Sequence, residues 1–293
     1  MPYHEAEPGR RALDDVSDVR VLRHLDVSTG ITGRGTDAVA GFGVVVDVKT
    51  TGANVKADTV IELAARRFAY DERHMITRID RPYRWREDPG RSLQEDVIRD
   101  TGLRDDDLVG RRIDECEASR IIGSADVRIA HEAAFDRPFV ERRLPGIVGL
   151  PWACSIEDVG WAEMGYESAK LGWLLMQCGL FREANGASSD VDATIQILQH
   201  EIDPGRTALD RMMERGSADS WIVHAFGASF EDKDKLRSRR YRWNADQKVW
   251  WKDVRDKAAE ETWLAANVYS MPGSSRTNSA DFEPLNWRTR YAR

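Results

Sequence analysis

The amino-acid sequence predicts an α/β fold, in which a mixed sheet flanked by helices is followed by a small α+β domain. Three observations predict it. Apolar runs typical of strands cover residues 43–48, 60–70 and 74–85 without an intervening helix, which indicates a three-stranded meander. Segments with helical spacing of apolar residues then alternate with shorter strands. The composition changes near Pro204, after which tryptophan and arginine become frequent.

These elements divide the chain into five parts. Residues 1–40 form an N-terminal arm, 41–200 the main domain, and 201–216 a linker with a helical piece. Residues 217–270 form the small Trp/Arg-rich domain, and 271–293, rich in Ser, Asn and Pro, form a flexible tail. Within the arm, apolar residues recur at the spacing of a short amphipathic helix, namely Leu13, Val16, Val19, Leu22 and Leu25.

Within the main domain, helical patterns cover residues 92–101, 114–122, 133–144, 171–178 and 190–200, and a short apolar strand covers 127–130. These bounds place Asp136 near the beginning of one helix. They place Asp190 at the start of another, where the N-terminal dipole of the helix favours an anion.

The composition, with 41% hydrophobic and 32% charged residues, is that of an ordinary soluble protein. No apolar run approaches the ~20 residues that span a bilayer, and the N-terminus is charged rather than signal-like. We therefore expect a cytoplasmic protein without a membrane segment. Cys116, Cys154 and Cys178 are widely spaced and outside any C-x-x-C pattern, which predicts neither a disulfide framework nor a zinc site.

The first strand of the meander ends in an unusual combination of charges. The run Val44-Val45-Val46 leads to Asp47, and Lys49 follows two residues later, before a Thr-Thr-Gly turn. A carboxylate at the end of a buried strand is how α/β folds present a ligand to a divalent ion. Because residues two apart lie on the same face of a strand, Lys49 brings a positive charge to the place of that ion.

The segment from Asp47 to Gly52 resembles the first motif of the DnaQ-like 3'-to-5' exonucleases of the DEDDh type, normally written D-x-E-T-T-G. Residues 130–139, Ala-His-Glu-Ala-Ala-Phe-Asp-Arg-Pro-Phe, are similar to the second motif, A-H-N-x-x-F-D-R-x-F. Residues 185–190, Asn-Gly-Ala-Ser-Ser-Asp, are similar to the third, H-x-A-x-x-D. The three motifs occur in the family's order, and the resemblance implies a ribonuclease-H-like mixed sheet.

The resemblance also implies a site for two divalent cations, Mg²⁺ or Mn²⁺, held by four acidic side chains. Asp47, Asp136 and Asp190 match three of these catalytic and metal-binding acids, but Lys49 stands at the fourth position. Asn185 stands where the family has a histidine that acts as general base, and it has no titratable nitrogen. These two substitutions predict impaired or absent hydrolysis.

Two positions leave alternatives open. The ammonium of Lys49 could bridge Asp47 and Asp190 in place of a cation, with no metal bound, or it could extend to solvent beside a site that still takes one ion. Glu132, at the asparagine of the second motif, could supply a replacement carboxylate or face solvent.

Nucleic acid is the partner that the resemblance implies, as the 3' end of single-stranded DNA or RNA or as a nucleotide. We assign nucleic-acid contacts to the turn after the first strand, to one ring near Asp136 and to the small domain, that is, to Thr50, Thr51, Gly52, Phe135, Arg239 and Arg242. Residues 230–254 resemble a module that follows the nuclease domain in some bacterial DnaQ-like proteins. Arginines there are interleaved with tyrosine and tryptophan, as is typical of single-strand binding. A domain of about fifty residues also needs large aromatics for its core, so packing and binding both stay open.

The sequence therefore predicts an exonuclease-fold protein that binds nucleic acid and is catalytically impaired, and it leaves open whether the protein is an enzyme. One alternative is an active, metal-dependent 3'-to-5' exonuclease with an altered site. The other is a protein-interaction module that binds no nucleic acid. Metal binding separates the first two hypotheses, and affinity for a single strand separates the first from the third.

Overall fold

A computed structural model describes residues 19–182, 186–269 and 279–292. Its strands are β1 (Arg23–His24), β2 (Gly30–Ile31), β3 (Gly41–Thr50), β4 (Val60–Tyr70), β5 (Ile76–Arg86), β6 (Val127–Ala130), β7 (Trp152–Cys154), β8 (Leu180–Phe181), β9 (Glu201–Asp203), β10 (Arg206–Thr207), β11 (Ser220–Ala225), β12 (Arg242–Asn244), β13 (Val249–Val254) and β14 (Ala280–Leu285). Its α-helices are α1 (Glu95–Thr101), α2 (Asp105–Leu108), α3 (Glu115–Gly123), α4 (Ala133–Arg143), α5 (Leu171–Gln177), α6 (Ala187–Leu198), α7 (Ala208–Ser217), α8 (Lys233–Ser238) and α9 (Lys257–Asn267). Within these described ranges, no helix has the length and apolar character needed to cross a membrane.

The main sheet has six strands in the order β2-β5-β4-β3-β6-β7. β3, β4 and β5 pair antiparallel, as the predicted meander requires, while β6 pairs parallel to β3 and β7 parallel to β6. This mixed sheet flanked by helices confirms the predicted ribonuclease-H-like fold class. β3 lies between β4 and β6, which explains why its valines form an unbroken apolar run buried on both faces.

Alternation along β3 separates the two layers of the core. Val45 packs in the layer that contains α5, α6 and α7. Val44 and Val46 pack in the layer that contains α3 and α4. Since side chains alternate with a period of two, Asp47 and Lys49 share the face of Val45 and are therefore directed toward α6.

The small domain is a four-stranded antiparallel sheet in the order β12-β13-β11-β14. Leu236 of α8 and Leu264 of α9 join one apolar cluster with Val223, Tyr241 and Trp250. The two helices therefore cover one face of this sheet. Packing, one of the two roles left open for the aromatic residues, is confirmed for Tyr241 and Trp250, since both are buried.

The predicted N-terminal helix is wrong where the structure describes it, and its first part, from Leu13, lies outside the described residues. Residues 19–25 contain no helix. Instead β1 pairs parallel with β8, and Leu25 packs into the main core. Of the described residues whose spacing suggested a helix, Val19 is exposed and only Leu25 packs in the core.

The predicted linker belongs to the main core rather than to an open connection. β9 and β10 form a hairpin there. Helix α7 buries Leu209, Met212 and Met213 against the layer of α5 and α6. The polar residues that suggested a linker lie on the outer face of an amphipathic helix.

The predicted flexible tail is ordered over residues 279–292, whereas 270–278 and 293 lie outside the described residues. β14 pairs with β11, and the carbonyl of Trp287 accepts a hydrogen bond from the amide of Trp152 on β7, at 2.7 Å. The buried guanidinium of Arg137 on α4 donates to the carbonyls of Arg288 and Arg290, at 2.6 and 2.5 Å. The tail therefore ties the small domain to the helix that carries Asp136. The polar composition of the tail did not indicate this docking, because the groups that accept the hydrogen bonds are backbone carbonyls.

Removal of residues 279–293 should destabilise the main domain and not only the small one. The truncation leaves the guanidinium of Arg137, which is 1% exposed, without two of its acceptors. Breaking a buried charge interaction from one side destabilises by about 3–5 kcal/mol. We expect a fall in the melting temperature of the main domain of roughly 10 °C, at ~2–4 °C per kcal/mol.

The control is Arg137→Met, made in the full chain and in the truncated chain. If the unpaired charge is the cause, Arg137→Met should destabilise the full chain and partly rescue the truncated chain. Equal destabilisation of both chains by Arg137→Met, in thermal melts, would contradict this account.

Candidate functional site

A cleft of about 700 Å³ opens at the C-terminal end of β3. The segments that line it are the end of β3, α1, the beginning of α4, the loop before α5 and the first turn of α6. Its charged lining residues are Asp47, Lys49, Asp96, Asp100, Glu132, Asp136, Lys170, Arg182 and Asp190. The structure thus brings together Asp47, Asp136 and Asp190, which are far apart in the sequence.

The turn after β3 is held by its own hydrogen bonds. The hydroxyl of Thr50 donates to the carbonyl of Gly52 at 2.7 Å, and that of Thr51 donates to Asp58 at 3.0 Å. A Cβ added at Gly52 would lie 2.5 Å from Asp58 Oδ2 and would displace the carboxylate that accepts from Thr51. Of the residues assigned to nucleic-acid contacts, Thr50, Gly52 and Phe135 line the cleft and Thr51 does not.

The ammonium of Lys49 lies between two carboxylates. Its Nζ is 2.8 Å from Asp47 Oδ2 and 2.5 Å from Asp190 Oδ2, and the side chain is 18% exposed. Of the two orientations left open by the sequence, the structure has the bridging one, and extension to solvent is wrong. The alternation along β3 and the position of Asp190 in the first turn of α6 together produce this contact.

Arg182, which the sequence analysis missed, pairs with the other oxygen of Asp190, Oδ1. It precedes the third motif by only a few residues, and a cation so close to a predicted metal ligand was the available signal. The guanidinium is half-buried. Burial lowers the pKa of Arg182, while the charge of Asp47 opposes that shift. Asp190 thus has a cation at each oxygen.

Glu62, also missed, supports the first turn of α6. Its Oε2 accepts a hydrogen bond from the amide of Ala187 at 3.0 Å, and its Oε1 accepts one from Arg86 at 3.2 Å. It lies opposite Lys49 in the β3–β4 pair and is 2% exposed. A single carboxylate within an apolar strand was the signal, because such residues are rarely buried without partners.

Burial dominates the electrostatics of the remaining acids. It raises the pKa of Asp47, and the charges of Lys49 and Arg182 oppose the shift. Burial and then the neighbouring charge of Asp47 raise the pKa of Asp136 well above its usual range, although the amide of Val48 donates a hydrogen bond to it at 3.0 Å. Both carboxyl groups are therefore more easily protonated than an exposed aspartate.

The donor set does not fit a pair of divalent ions. Both oxygens of Asp190 face cationic side chains, and Asp47 Oδ2 is beside Lys49 with no aligned hydrogen-bond donor among the described residues. Within the same residues, no three His, Cys, Asp or Glu side chains converge as metal ligands. The ammonium of Lys49 already lies between Asp47 and Asp190, and Arg182 pairs with the other oxygen of Asp190.

Asn185 and Glu132 are the two motif positions at which this chain differs from the family besides Lys49. Asn185 lies outside the described residues. Glu132 is exposed at the N-terminal end of α4 and lines the cleft. Its charge is one of the smaller influences that raise the pKa of Asp136.

His131 has a structural position beside the cleft. Its Nε2 lies 2.8 Å from the carbonyl of Ala169, and its Nδ1 lies 2.7 Å from the hydroxyl of Ser155. Because a carbonyl only accepts, Nε2 carries the proton and Nδ1 accepts from Ser155. Burial lowers the pKa of His131 to about 4. The neutral ring thus fastens the loop before α5 to β7.

The two arginines assigned to nucleic acid differ in their surroundings. Arg239 pairs with the buried carboxylate of Glu260 at 3.2 Å, and its guanidinium lies over the ring of Trp263. Arg242 is exposed on β12, outside the cleft. Contact of either with nucleic acid stays a prediction.

No known protein family and no curated protein matches this chain. Among solved structures it is similar to exonuclease X in complex with 5' overhanging duplex DNA, at 15% identity over 59% of this chain and 99% of that one, with a TM-score of 0.40. It is similar to the zinc-bound E. coli exonuclease I complex with single-stranded DNA, at 14% identity over 73% and 62%, with a TM-score of 0.48. It is also similar to a full-length 3'-exonuclease, at 12% identity over 63% and 64%, with a TM-score of 0.43. The chain spans less than two thirds of the last two proteins.

Lys49→Ala should lower stability in metal-free buffer. Without the ammonium, Asp47 and Asp190 repel each other in a partly buried place, at a cost of about 3 kcal/mol. Manganese should restore more stability to Lys49→Ala than to the parent, because an ion bound only by the folded state stabilises by mass action. Lys49→Glu should show the largest manganese response.

The measurement is thermal melting of the parent and each variant with chelator and with manganese. Lys56→Ala, an exposed lysine in the next turn, is the matched control and should behave like the parent. A parent that gains as much stability from manganese as Lys49→Glu would show that Lys49 does not hold the position of a cation.

His131 should make stability depend on pH. Its pKa is about 4 in the folded protein, below the ~6.5 of an unfolded chain. As pH falls below ~6.5, the unfolded state binds a proton at this histidine before the folded state does, so the free energy of unfolding decreases until pH ~4. Above pH ~6.5 this histidine does not change the free energy of unfolding. The loss is about 3 kcal/mol at ~1.4 kcal/mol per pH unit.

Denaturant unfolding of the parent and of His131→Gln at pH 7 and pH 4.5 measures this effect. The parent should lose more stability than the variant over that interval, because glutamine does not titrate. Equal losses in the two proteins would assign the pH dependence to other groups.

Proposed function

We propose that this protein binds the 3' end of a single-stranded nucleic acid, or a nucleotide, in the cleft and does not hydrolyse it efficiently. One observation carries the proposal. The ammonium of Lys49 lies between Asp47 and Asp190, where the resemblance to DnaQ-like exonucleases implies metal ions.

The chemistry of an ammonium supports binding without turnover. It offers one positive charge and up to three hydrogen-bond donors, which offset the charge of carboxylates or a phosphate. It cannot coordinate a water molecule and lower its pKa, which is how a metal ion generates the attacking hydroxide. Hydrolysis also needs a base with a pKa near neutrality. The resemblance implies that base at position 185, where this chain has asparagine.

The lining of the cleft supports a nucleotide as the ligand. The ring of Phe135 is half-buried beside Asp136 and presents an aromatic surface of the kind on which bases stack. Lys170, exposed at the rim, brings a cation that a phosphate would meet. Base stacking and phosphate contact without base-edge recognition give binding with little sequence preference.

Purified protein with magnesium or manganese should degrade labelled single-stranded DNA no faster than an Asp47→Ala control. Losing a metal ligand or a general base in such a site removes two to three orders of magnitude in rate, about 3–4 kcal/mol of transition-state stabilisation. A clear metal-dependent excess of the parent over Asp47→Ala would instead identify an active exonuclease.

Binding should persist in the presence of chelator. Fluorescence anisotropy with a labelled oligonucleotide should detect it, and Phe135→Ala should weaken it about tenfold through lost stacking. Arg120→Ala, an exposed substitution on α3 outside the cleft, is the control. If the parent binds neither DNA nor RNA nor mononucleotide, the protein-interaction alternative is favoured.

A further inference from the structure

The small domain has a sheet face that its own helices do not cover. Residues directly opposite in neighbouring strands share a face of the sheet. Trp243, Trp250 and Ala225 are opposite one another, and Trp250 and Ala225 belong to the cluster under α8 and α9. Arg242, Trp251 and His224 form the next row and therefore lie on the other face. We call this row the open face.

The open face combines an aromatic ring with a cation. Trp251 is half-buried, and the guanidinium of Arg242 lies 5.6 Å from the centroid of one of its rings. Arg242 is itself 68% exposed in its side chain. A partly exposed aromatic ring on a strand, flanked by an exposed arginine, has the chemistry for stacking a base and contacting its phosphate.

The open face is next to the cleft. Arg242 Nη2 lies 3.8 Å from Glu157 Oε1. Glu157 follows Ile156, which lines the cleft. A strand that left the cleft over Ile156 and Glu157 would therefore meet Arg242. Both Arg242 and Glu157 are well exposed, so their ion pair is weak and a phosphate can replace Glu157 as the partner of Arg242.

We propose that the open face of the small domain is a second subsite for single-stranded nucleic acid, which holds the part of the strand that extends from the cleft. This inference rests on the proposed function of the cleft. The ring of Trp251 stacks a base, and Arg242 contacts the adjacent phosphate. The cleft alone binds a terminal nucleotide, and the open face adds affinity only for a longer strand.

Ligand length distinguishes the two subsites. The probes are thymidine monophosphate and labelled oligothymidylate of about 12 nucleotides, within the ~4–16 nucleotides that single-strand-binding domains cover, with oligouridylate as the RNA arm. Arg242→Ala and Trp251→Ala should each weaken oligonucleotide binding about tenfold and leave mononucleotide binding unchanged. Arg242→Ala should also reduce the slope of log affinity against log salt by about 1.

The matched control is Trp243→Ala. Trp243 is the more exposed tryptophan, at 51%, but its ring contacts Trp250 on the helix-covered face. The Trp243→Ala variant should bind both probes as tightly as the parent does. Glu157→Gln should bind the oligonucleotide more tightly, because it releases Arg242 and removes a negative charge from the path.

Arg242→Glu, an exposed substitution, keeps the test decisive if Trp251→Ala does not fold. This variant must weaken binding of the oligonucleotide and leave binding of the mononucleotide unchanged. Oligonucleotide binding that is unchanged in Arg242→Glu, or weakened as strongly by Trp243→Ala, overturns the proposal while the cleft still binds nucleotide. A parent that binds neither probe overturns the proposed function and the open-face subsite together.

Discussion

The ion pairs of Lys49 are the constraint on which the cleft depends. β3 and α6 each bring a carboxylate to one point, and two such groups repel each other unless a cation lies between them. Lys49 supplies that cation from within β3, at 2.8 Å from Asp47 and 2.5 Å from Asp190. Because this charge belongs to the chain, it joins the central strand to α6 through side chains alone.

The same arrangement limits the chemistry of the cleft. An ammonium in a bridging position satisfies the carboxylates, and Arg182 adds a second cation on Asp190. Neither group can activate water as a metal ion does. Burial raises the pKa of Asp47 and Asp136, so both carboxyl groups are more easily protonated than an exposed aspartate. The cations of the chain itself therefore offset the charges of Asp47 and Asp190.

Buried arginines extend this dependence to the small domain. Arg137, the residue after Asp136, binds carbonyls of the C-terminal segment, and Arg290 in that segment binds the carbonyls of Gly216 and Ala218, both at 2.8 Å. β14, which completes the small sheet, is thus continuous with the C-terminal segment whose carbonyls accept hydrogen bonds from Arg137 of α4. Arg242 of the open face also lies 3.8 Å from Glu157, the residue after Ile156 of the cleft lining.

The sequence by itself determined the meander, the class of the sheet and the position of Asp47 and Lys49 on one face of β3, because alternation along a strand is a local property. The resemblance of three motifs to those of DnaQ-like exonucleases likewise implied which acids would meet. The folded structure was needed to show that Lys49 bridges rather than extends to solvent, since that depends on where α6 begins relative to β3. It also decided the roles of Arg182 and Glu62 and the docking of residues 279–292. Some of these contacts join side chains that are distant in the sequence. Others use backbone carbonyls, which every residue has and which therefore leave no pattern in the sequence.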